Sequence, residues 1–293
     1  MTLTRDVQSE EAPYPVGIDW VAVSDVYIPL GEIELNGVRF AAIPRIKAAV
    51  NLSGSQRGIH ASRSVEAVKW AALRVDGSTF HKLASLIAGK LLENHSYSTR
   101  AYSVVKAKFF NAEKTPVSMN DSLESFDIVL KSYAKRFNGA VRLRNFIGVK
   151  TTGITACPCA QQVIQEIYAK ANGGGSTPSV THMQRCYASV LVETDGSIAF
   201  EDLLEVLRKS FSSRTLELLK RHDEAALVLE AVESPRFVED VVRHVAEKVV
   251  RRFPQIPDEN HVIIRVKSLE SIHQHNLEST LRTTFGKLRK NLN

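Results

Sequence analysis

Residues 148–164 read GVKTTGITACPCAQQVI. The first half is β-branched and Thr-rich, as strands are, and the run from Gln161 has a helical composition. Cys157-Pro158-Cys159 lies between them, at what reads as a strand-to-helix turn. Pro158 suits a first helical turn, where its missing N–H would have had no partner. A helix start offers unpaired amide donors and a positive dipole end, and both favour thiolate over thiol. The stretch is therefore a candidate metal or nucleophile site, fixed between a strand and a helix.

Working outward, Val141–Thr155 reads as a strand, Gln161–Ala171 as a helix, Asn172–Thr177 as a flexible Gly-rich loop and Met183–Val192 as a strand. Helices are expected near 200–211, 213–219 and 224–229. Phe237–Phe253 is the clearest, with Phe237, Val241, Val245 and Val249 on one stripe. A strand follows at His261–Val266. In the first half, the opening 30 or so residues are Pro-punctuated and read as a surface wrap. Leu35–Val50 reads as a strand or hairpin turning at Asn36-Gly37. Asn51–Arg63 is a polar loop suited to function. Helices over Ser64–Leu73 and Ser78–Leu92 precede two antiparallel strands, Tyr97–Phe110 and Leu123–Phe137. The same order of elements thus occurs twice, which predicts halves at 1–140 and 141–293, the second carrying most of the candidate metal residues. The expected fold class is α+β, with helices layered on one face of antiparallel sheets.

The 293 residues carry a net charge of +6, from 38 Lys and Arg against 32 Asp and Glu. That mild excess suits an anionic small molecule. No basic tail or nucleic-acid motif is present, so no nucleic-acid partner is expected. No apolar run approaches the roughly 20 residues that span a bilayer, and the N-terminus lacks the apolar core of a signal peptide. A cytoplasmic protein without a membrane partner is expected. Three cysteines are too few for a disulfide framework, so thiol or metal chemistry is the better use for them.

Among nine histidines, two groups stand out. His273 and His275 are two apart, which in extended chain puts both side chains on one side about 6.5–7 Å apart. His182 opens a strand. Cys186 would lie about 13 Å further along it, too far to share a metal, and reads as a core thiol. A single cysteine with distant histidines and a carboxylate is the donor set of an open, catalytic metal site rather than a closed four-thiolate one. Asp223, Glu224, Glu233, Glu239 and Asp240 are the carboxylate candidates, each also explicable as a helix-terminal acid.

The motifs ITACPCAQ (154–161), THMQR (181–185), KRHDE (220–224), ESPRFVEDVVR (233–243) and ESIHQH (270–275), with SQRGIHASR (55–63) and DVQ (6–8), resemble the type IB GTP cyclohydrolases, in order and over nearly the whole chain. The GIHASR and THMQR wording is closer to the archaeal MptA branch than to the bacterial one. The resemblance implies tandem tunnelling-fold halves and a homotetramer with interfacial active sites. It implies metal ligands at Cys157, His182 and Glu224, with one or both of His273 and His275, and a purine-anchoring Glu239. Two features depart from the family pattern: the interval from Cys157 to His182 is longer, and HMQR stands where HNQR is usual.

The implied reaction opens the guanine imidazole ring of GTP at C8, releases formate and closes a dihydroneopterin phosphate, a 2′,3′-cyclic phosphate in the archaeal branch, for pterin biosynthesis. Cys157, His273, His275 and Glu239 are the catalytic candidates. Arg57, Arg63, Lys150 and Arg185 are candidates for the phosphates. One divalent metal per subunit is expected, ferrous iron (Fe2+) first, with Zn2+ or Mn2+ as alternatives for the same donors. The rival readings are a non-catalytic nucleotide- or metal-binding protein, and another enzyme of the same fold acting on a different purine or pterin.

Overall fold

A computed structural model describes residues 6–35, 38–173, 179–196 and 198–292. The expected Asn36-Gly37 turn and most of the Gly-rich 172–177 loop lie outside them. The chain divides into two compact units, each discontinuous in sequence: Met1–Lys108, Ile128–Ile147 and Glu193–Ser197 form the first, and Phe109–Asp127, Gly148–Val192 and Ile198–Asn293 form the second. Residue 140, where the sequence places the boundary, opens the long strand Ala140–Ala156 and lies within the first unit.

The first unit holds β1 (Ile18–Tyr27), β2 (Glu32–Leu35), β3 (Val38–Ala41), β4 (Arg45–Leu52), α1 (Ala61–Ala72) and α2 (Leu83–Asn94). It also takes part of each of β5 (Arg100–Lys114), β6 (Asp121–Phe137) and β7 (Ala140–Ala156). Strands run in the order β1-β4-β5-β6-β7, and β2-β3 is a separate hairpin. Alternation decides which face is covered. Ile46, Ala48 and Val50 of β4 and Ala101, Ser103 and Val105 of β5 are buried, while Lys47 and Tyr102 point the other way. The buried face meets helices rich in alanine and leucine, and the Ser103 hydroxyl donates to the Ala84 carbonyl of α2 at 2.6 Å. Asn138 and Gly139, both at positive φ, form the β6–β7 turn, as the right-handed strand twist favours.

A chain of hydrogen bonds enters this unit from the surface. Asp6 pairs with His60 Nε2 at 3.0 Å, His60 Nδ1 with the Tyr97 hydroxyl at 3.2 Å, Tyr97 with His95 Nδ1 at 2.8 Å, and His95 Nε2 with the Ser64 hydroxyl at 3.0 Å. His95 and Ser64 are fully buried. Burial, then Arg63 and His60, push the His95 pKa down from 6.5 to about 4. Between those values the unfolded chain binds the extra proton and the folded chain does not, so the stability from neutral His95 is full above pH 6.5 and is lost as pH falls towards 4. Thermal melts at pH 7 and pH 4.5 are expected to differ by several degrees, and by less in His95→Gln. An equal acid shift in both proteins would remove His95 as the cause.

The second unit holds the remainder of β5, β6 and β7, then α3 (Pro158–Ala171), β8 (Met183–Glu193), α4 (Phe200–Arg208), β9 (Ser213–Arg214), α5 (Arg221–Glu233), α6 (Val238–Arg252), β10 (His261–Ser268), β11 (Leu277–Thr284) and α7 (Phe285–Leu292). Strand order is β5-β6-β7-β8-β10-β11, with β9 on β7. Val241, Val245 and Val249 of α6 are fully buried, as are Cys186 of β8 and Val262 and Ile264 of β10. Burial pushes the Cys186 thiol up to about 12, so it is an inert core residue, as its strand position suggested. The glycines of the Gly148–Ile164 stretch allow close packing. A Cβ at Gly148 would lie 2.5 Å from the Val190 carbonyl, and one at Gly153 would lie 2.2 Å from the Phe211 ring.

Two sequence expectations are corrected. Ser213–Leu219 is not a helix. Ser213 and Arg214 pair with Ile154 and Gly153, and the amides of Glu217 and Leu218 are taken by Glu124 and Ser122, so partners distant in sequence replace helical ones. The N-terminal stretch is not only a wrap, because Ile18–Tyr27 is the edge strand β1. No helix among the described residues is long and apolar enough to cross a membrane.

Candidate metal centre

Cys157 is the N-cap of α3, in extended conformation, with Pro158 opening the helix as its sequence required. Its sulfur accepts from the Ala160 amide at 3.5 Å. Three hydrogen bonds gather other elements around this turn. The Cys157 amide donates to the His182 carbonyl at 3.1 Å, and the Thr181 hydroxyl to the Cys157 carbonyl at 2.6 Å, which fixes the start of β8 beside the start of α3. The Arg236 amide donates to the Ala156 carbonyl at 2.9 Å, which brings the start of α6 to the same turn.

His182 is half-buried and oriented. Its Nδ1 lies 2.9 Å from Gln184 Oε1, and Gln184 Nε2 donates to the Thr155 hydroxyl at 3.2 Å. With the amide oxygen as acceptor, the proton sits on Nδ1 and the Nε2 lone pair is left for a ligand. The loop between β10 and β11 supplies the other imidazoles. The Leu269 amide is held by the Arg185 carbonyl, and the Glu270 amide by the Asn276 side chain. The His273 ring stands perpendicular to His182 with centroids 6.4 Å apart, and His273 and His275 are stacked at 5.0 Å. Both are exposed and face one another, with the chain bent here instead of extended.

Cys157, His182, His273 and His275 are thus gathered at one end of the second unit. Among the described residues, no three Cys, His, Asp or Glu side chains are grouped closely enough to hold a metal ion. The donor chemistry nevertheless suits one: a thiol at a helix start, and an imidazole whose far nitrogen is already committed. Glu239 is exposed on the first turn of α6, the helix tied to Ala156. Glu224 is exposed on the first turn of α5. The opposite end of α5 is the one bonded to α3, through Gln161 Nε2 and the Val232 carbonyl at 2.6 Å. At 1.5 Å per residue, Glu224 lies about 12 Å along the helix from that contact. Its neighbour Asp223 is structural. Burial would raise its pKa, but hydrogen bonds from the Ser118 hydroxyl and the Ser118, Lys220 and Val117 amides hold it well below the carboxylate range.

The phosphate candidates divide between the units. Arg57 pairs with Glu10 at 2.9 Å and Arg63 is half-buried on α1, both in the first unit. Lys150 lies over the Tyr187 ring at 5.2 Å, and Arg185 lines a 290 Å3 cavity with Tyr187, Thr151, Arg208 and Arg214. Sequence reading missed Arg208 and Arg214. Both pair with Glu113, so one carboxylate serves two guanidinium groups. Burial lowers the Arg208 pKa against the opposing pull of Glu113 and Glu124. No local signal marks these arginines, because their shared partner lies about a hundred residues away.

A family model described as type I GTP cyclohydrolase folE2 matches residues 4–279. The chain belongs to the type I GTP cyclohydrolase family. Two relatives are GTP cyclohydrolase MptA of Methanoculleus marisnigri, 34% identical over 97% of this chain and 96% of that one, and GTP cyclohydrolase MptA of Methanocaldococcus jannaschii, 32% identical over 98% and 97%. The resemblance read from the motifs is borne out. Among solved structures, the uricase of Arthrobacter globiformis superposes with a TM-score of 0.53 at 8% identity, covering 92% of this chain and 94% of that one. A uricase from Bacillus fastidious gives 0.50 at 11%, covering 94% and 95%. That likeness concerns the fold, which is the expected α+β tunnelling fold. As a type I GTP cyclohydrolase the chain is an enzyme, and the family implies GTP as its substrate.

Gln184→Leu is expected to weaken metal binding about 10–100-fold by freeing the His182 ring, with little change in melting temperature. Metal titration monitored by competition with a chromogenic chelator reads this directly; unchanged affinity would mean that Gln184 does not orient a ligand.

Proposed function

We propose that this enzyme opens the guanine imidazole ring of GTP at C8, releases C8 as formate and closes a 7,8-dihydroneopterin phosphate, with the 2′,3′-cyclic phosphate of the archaeal branch as product and the β- and γ-phosphates leaving as diphosphate. The observation that carries the reading is the pairing of Cys157 with an oriented His182 and the His273–His275 stack, in a chain of this family. Cys157, His182 and one or both of His273 and His275 would hold a divalent metal, with ferrous iron first and zinc or manganese as alternatives. When bound, the metal supplies a Lewis acid that acidifies water for attack on C8. Glu224, at the far end of α5, would join the set across an interface of a homotetramer. That arrangement agrees with the described residues of one chain, among which no three such side chains are grouped closely enough to hold a metal ion.

The chain's own residues do the rest. The imidazole of His273 or His275 not engaged as a ligand moves protons during ring opening. Glu239 accepts hydrogen bonds from the guanine N1–H and 2-amino group. Arg57, Arg63, Lys150 and Arg185 are the cations for the phosphates. The test is anaerobic incubation of the protein with GTP and ferrous iron. Formate and a fluorescent oxidised pterin are expected in equal amounts. GTP consumption without formate would refute C8 opening.

A further inference from the structure

The open face of the first unit's sheet, opposite α1 and α2, carries a row of aromatic rings across its strands. Trp20 of β1 meets Tyr102 of β5 edge-on at 4.8 Å. Tyr102 lies 5.9 Å from Tyr133 of β6, and Tyr133 meets Phe146 of β7 edge-on at 6.1 Å. The first contact spans β4 because the residue opposite Tyr102 there is only Ala49. Each ring has a cation over it: Arg100 over Trp20 at 5.3 Å, Lys47 over Tyr102 at 5.7 Å, Lys131 over Tyr133 at 5.3 Å and Arg144 over Phe146 at 5.7 Å.

This ladder holds positive charge in fixed places. Arg100 and Arg144 are matched by Asp19 and Glu193. Lys47 and Lys131 have no carboxylate partner among the described residues, nor do Lys106 and Lys135 on the same face. Five strands at about 4.8 Å spacing spread the row over roughly 19 Å. Each cation–π contact biases its lysine towards one position without neutralising it. With the rings edge-on or tilted against each other, each capped by a cation and Phe146 buried, they offer no free platform for stacking bases, which single-stranded nucleic acid needs. The face is therefore complementary to phosphate charge and indifferent to the base.

We propose that this face is a second, non-catalytic site for the polyphosphate of nucleoside triphosphates, held by Lys47 and Lys131, which gathers substrate from solution. A fixed field of one sign raises the local concentration of a polyanion and its rate of encounter. The choice of occupant rests on GTP being the substrate. The phosphate binding does not depend on C8 chemistry, so it is measured without turnover and its failure is separable from failure of that reading.

The probe is inorganic tripolyphosphate, followed by equilibrium dialysis against the full chain at low and at physiological salt. Lys47→Gln/Lys131→Gln is expected to lose one bound tripolyphosphate per chain, or to bind it at least about tenfold more weakly, at low salt, where screening is least. Its kcat at saturating GTP should match the wild type, with KM at low salt raised several-fold. Lys106→Gln/Lys135→Gln should show the same trend from a second pair and guards against misfolding of the first. Unchanged tripolyphosphate binding in both variants overturns the proposal. So does a parallel loss of kcat, which would make these lysines part of the substrate site. Tighter binding of a thymidine oligonucleotide than of tripolyphosphate would put a nucleic acid there instead, and equally overturns it.

Discussion

Cys157→Ala is expected to lower formate release by at least about 10^3-fold, because a bound Lewis acid is worth several kcal/mol and each 1.36 kcal/mol is tenfold in rate. The same variant should bind less than one metal per chain after gel filtration. The fold should survive. Cys157 caps α3 with a long sulfur contact of 3.5 Å, and Pro158, the Cys157 amide bond to the His182 carbonyl and the Thr181 hydroxyl bond to the Cys157 carbonyl do not depend on the thiol. Loss of an N-cap side chain costs about 1 kcal/mol, a shift of a few degrees at most. Cys157→Ser separates the two roles. A hydroxyl restores the cap but not a soft, anionic donor, so its melting temperature should recover while its activity does not. Full formate release by either variant would remove Cys157 from the metal site and with it the reading of the turn.

What could be read from the sequence follows from where each signal resides. The strands of the Cys157 turn and of Tyr97–Phe137, and the α6 stripe, carry a strong period because one face is buried and the other is not. β1 and β11 were not legible because both lie at sheet edges, with little burial to impose alternation. Ser213–Leu219 failed because its conformation is dictated by Gly153, Ile154, Ser122 and Glu124, none of them local. The site divides in the same way. The thiol pair at the turn, His182 and the His273/His275 pair are visible in composition and spacing, while the choice of Cys157 over Cys159 comes from the family resemblance. The clasp between Cys157 and His182 depends on a backbone contact across 25 residues. Gln184 was in plain view in THMQR, yet its role as the orienting partner of His182 appears only with the tautomer it imposes. The separation of Glu224 from the other donors is a matter of which end of α5 is fastened to α3, which no motif encodes.

Glu239→Ala is the complementary experiment, because it should spare the metal and lose the nucleotide. A carboxylate facing N1–H and the 2-amino group makes two charge-assisted hydrogen bonds, each worth about 1.5–3 kcal/mol, so GTP affinity should fall roughly 10^2–10^4-fold. Adenine presents neither donor in that arrangement, and discrimination against ATP should fall with the affinity for GTP. Glu239 is exposed on the first turn of α6, whose start is capped by Asp240 accepting from the Phe237 amide at 3.1 Å and is bonded to Ala156 through Arg236. Those anchors remain in the variant, so the loss to stability should be about the 0.3–1 kcal/mol of one acid at a helix N-terminus. Metal content should stay at the wild-type value. Glu239→Gln should fall between the two, since its amide oxygen accepts one bond while its NH2 opposes a second donor. Equilibrium dialysis with GTP in the absence of metal reads the affinity without turnover. If Glu239→Ala binds GTP as tightly as the wild type, the purine anchor lies elsewhere, and the cavity beside Arg185, Arg208 and Arg214 is the next place to look.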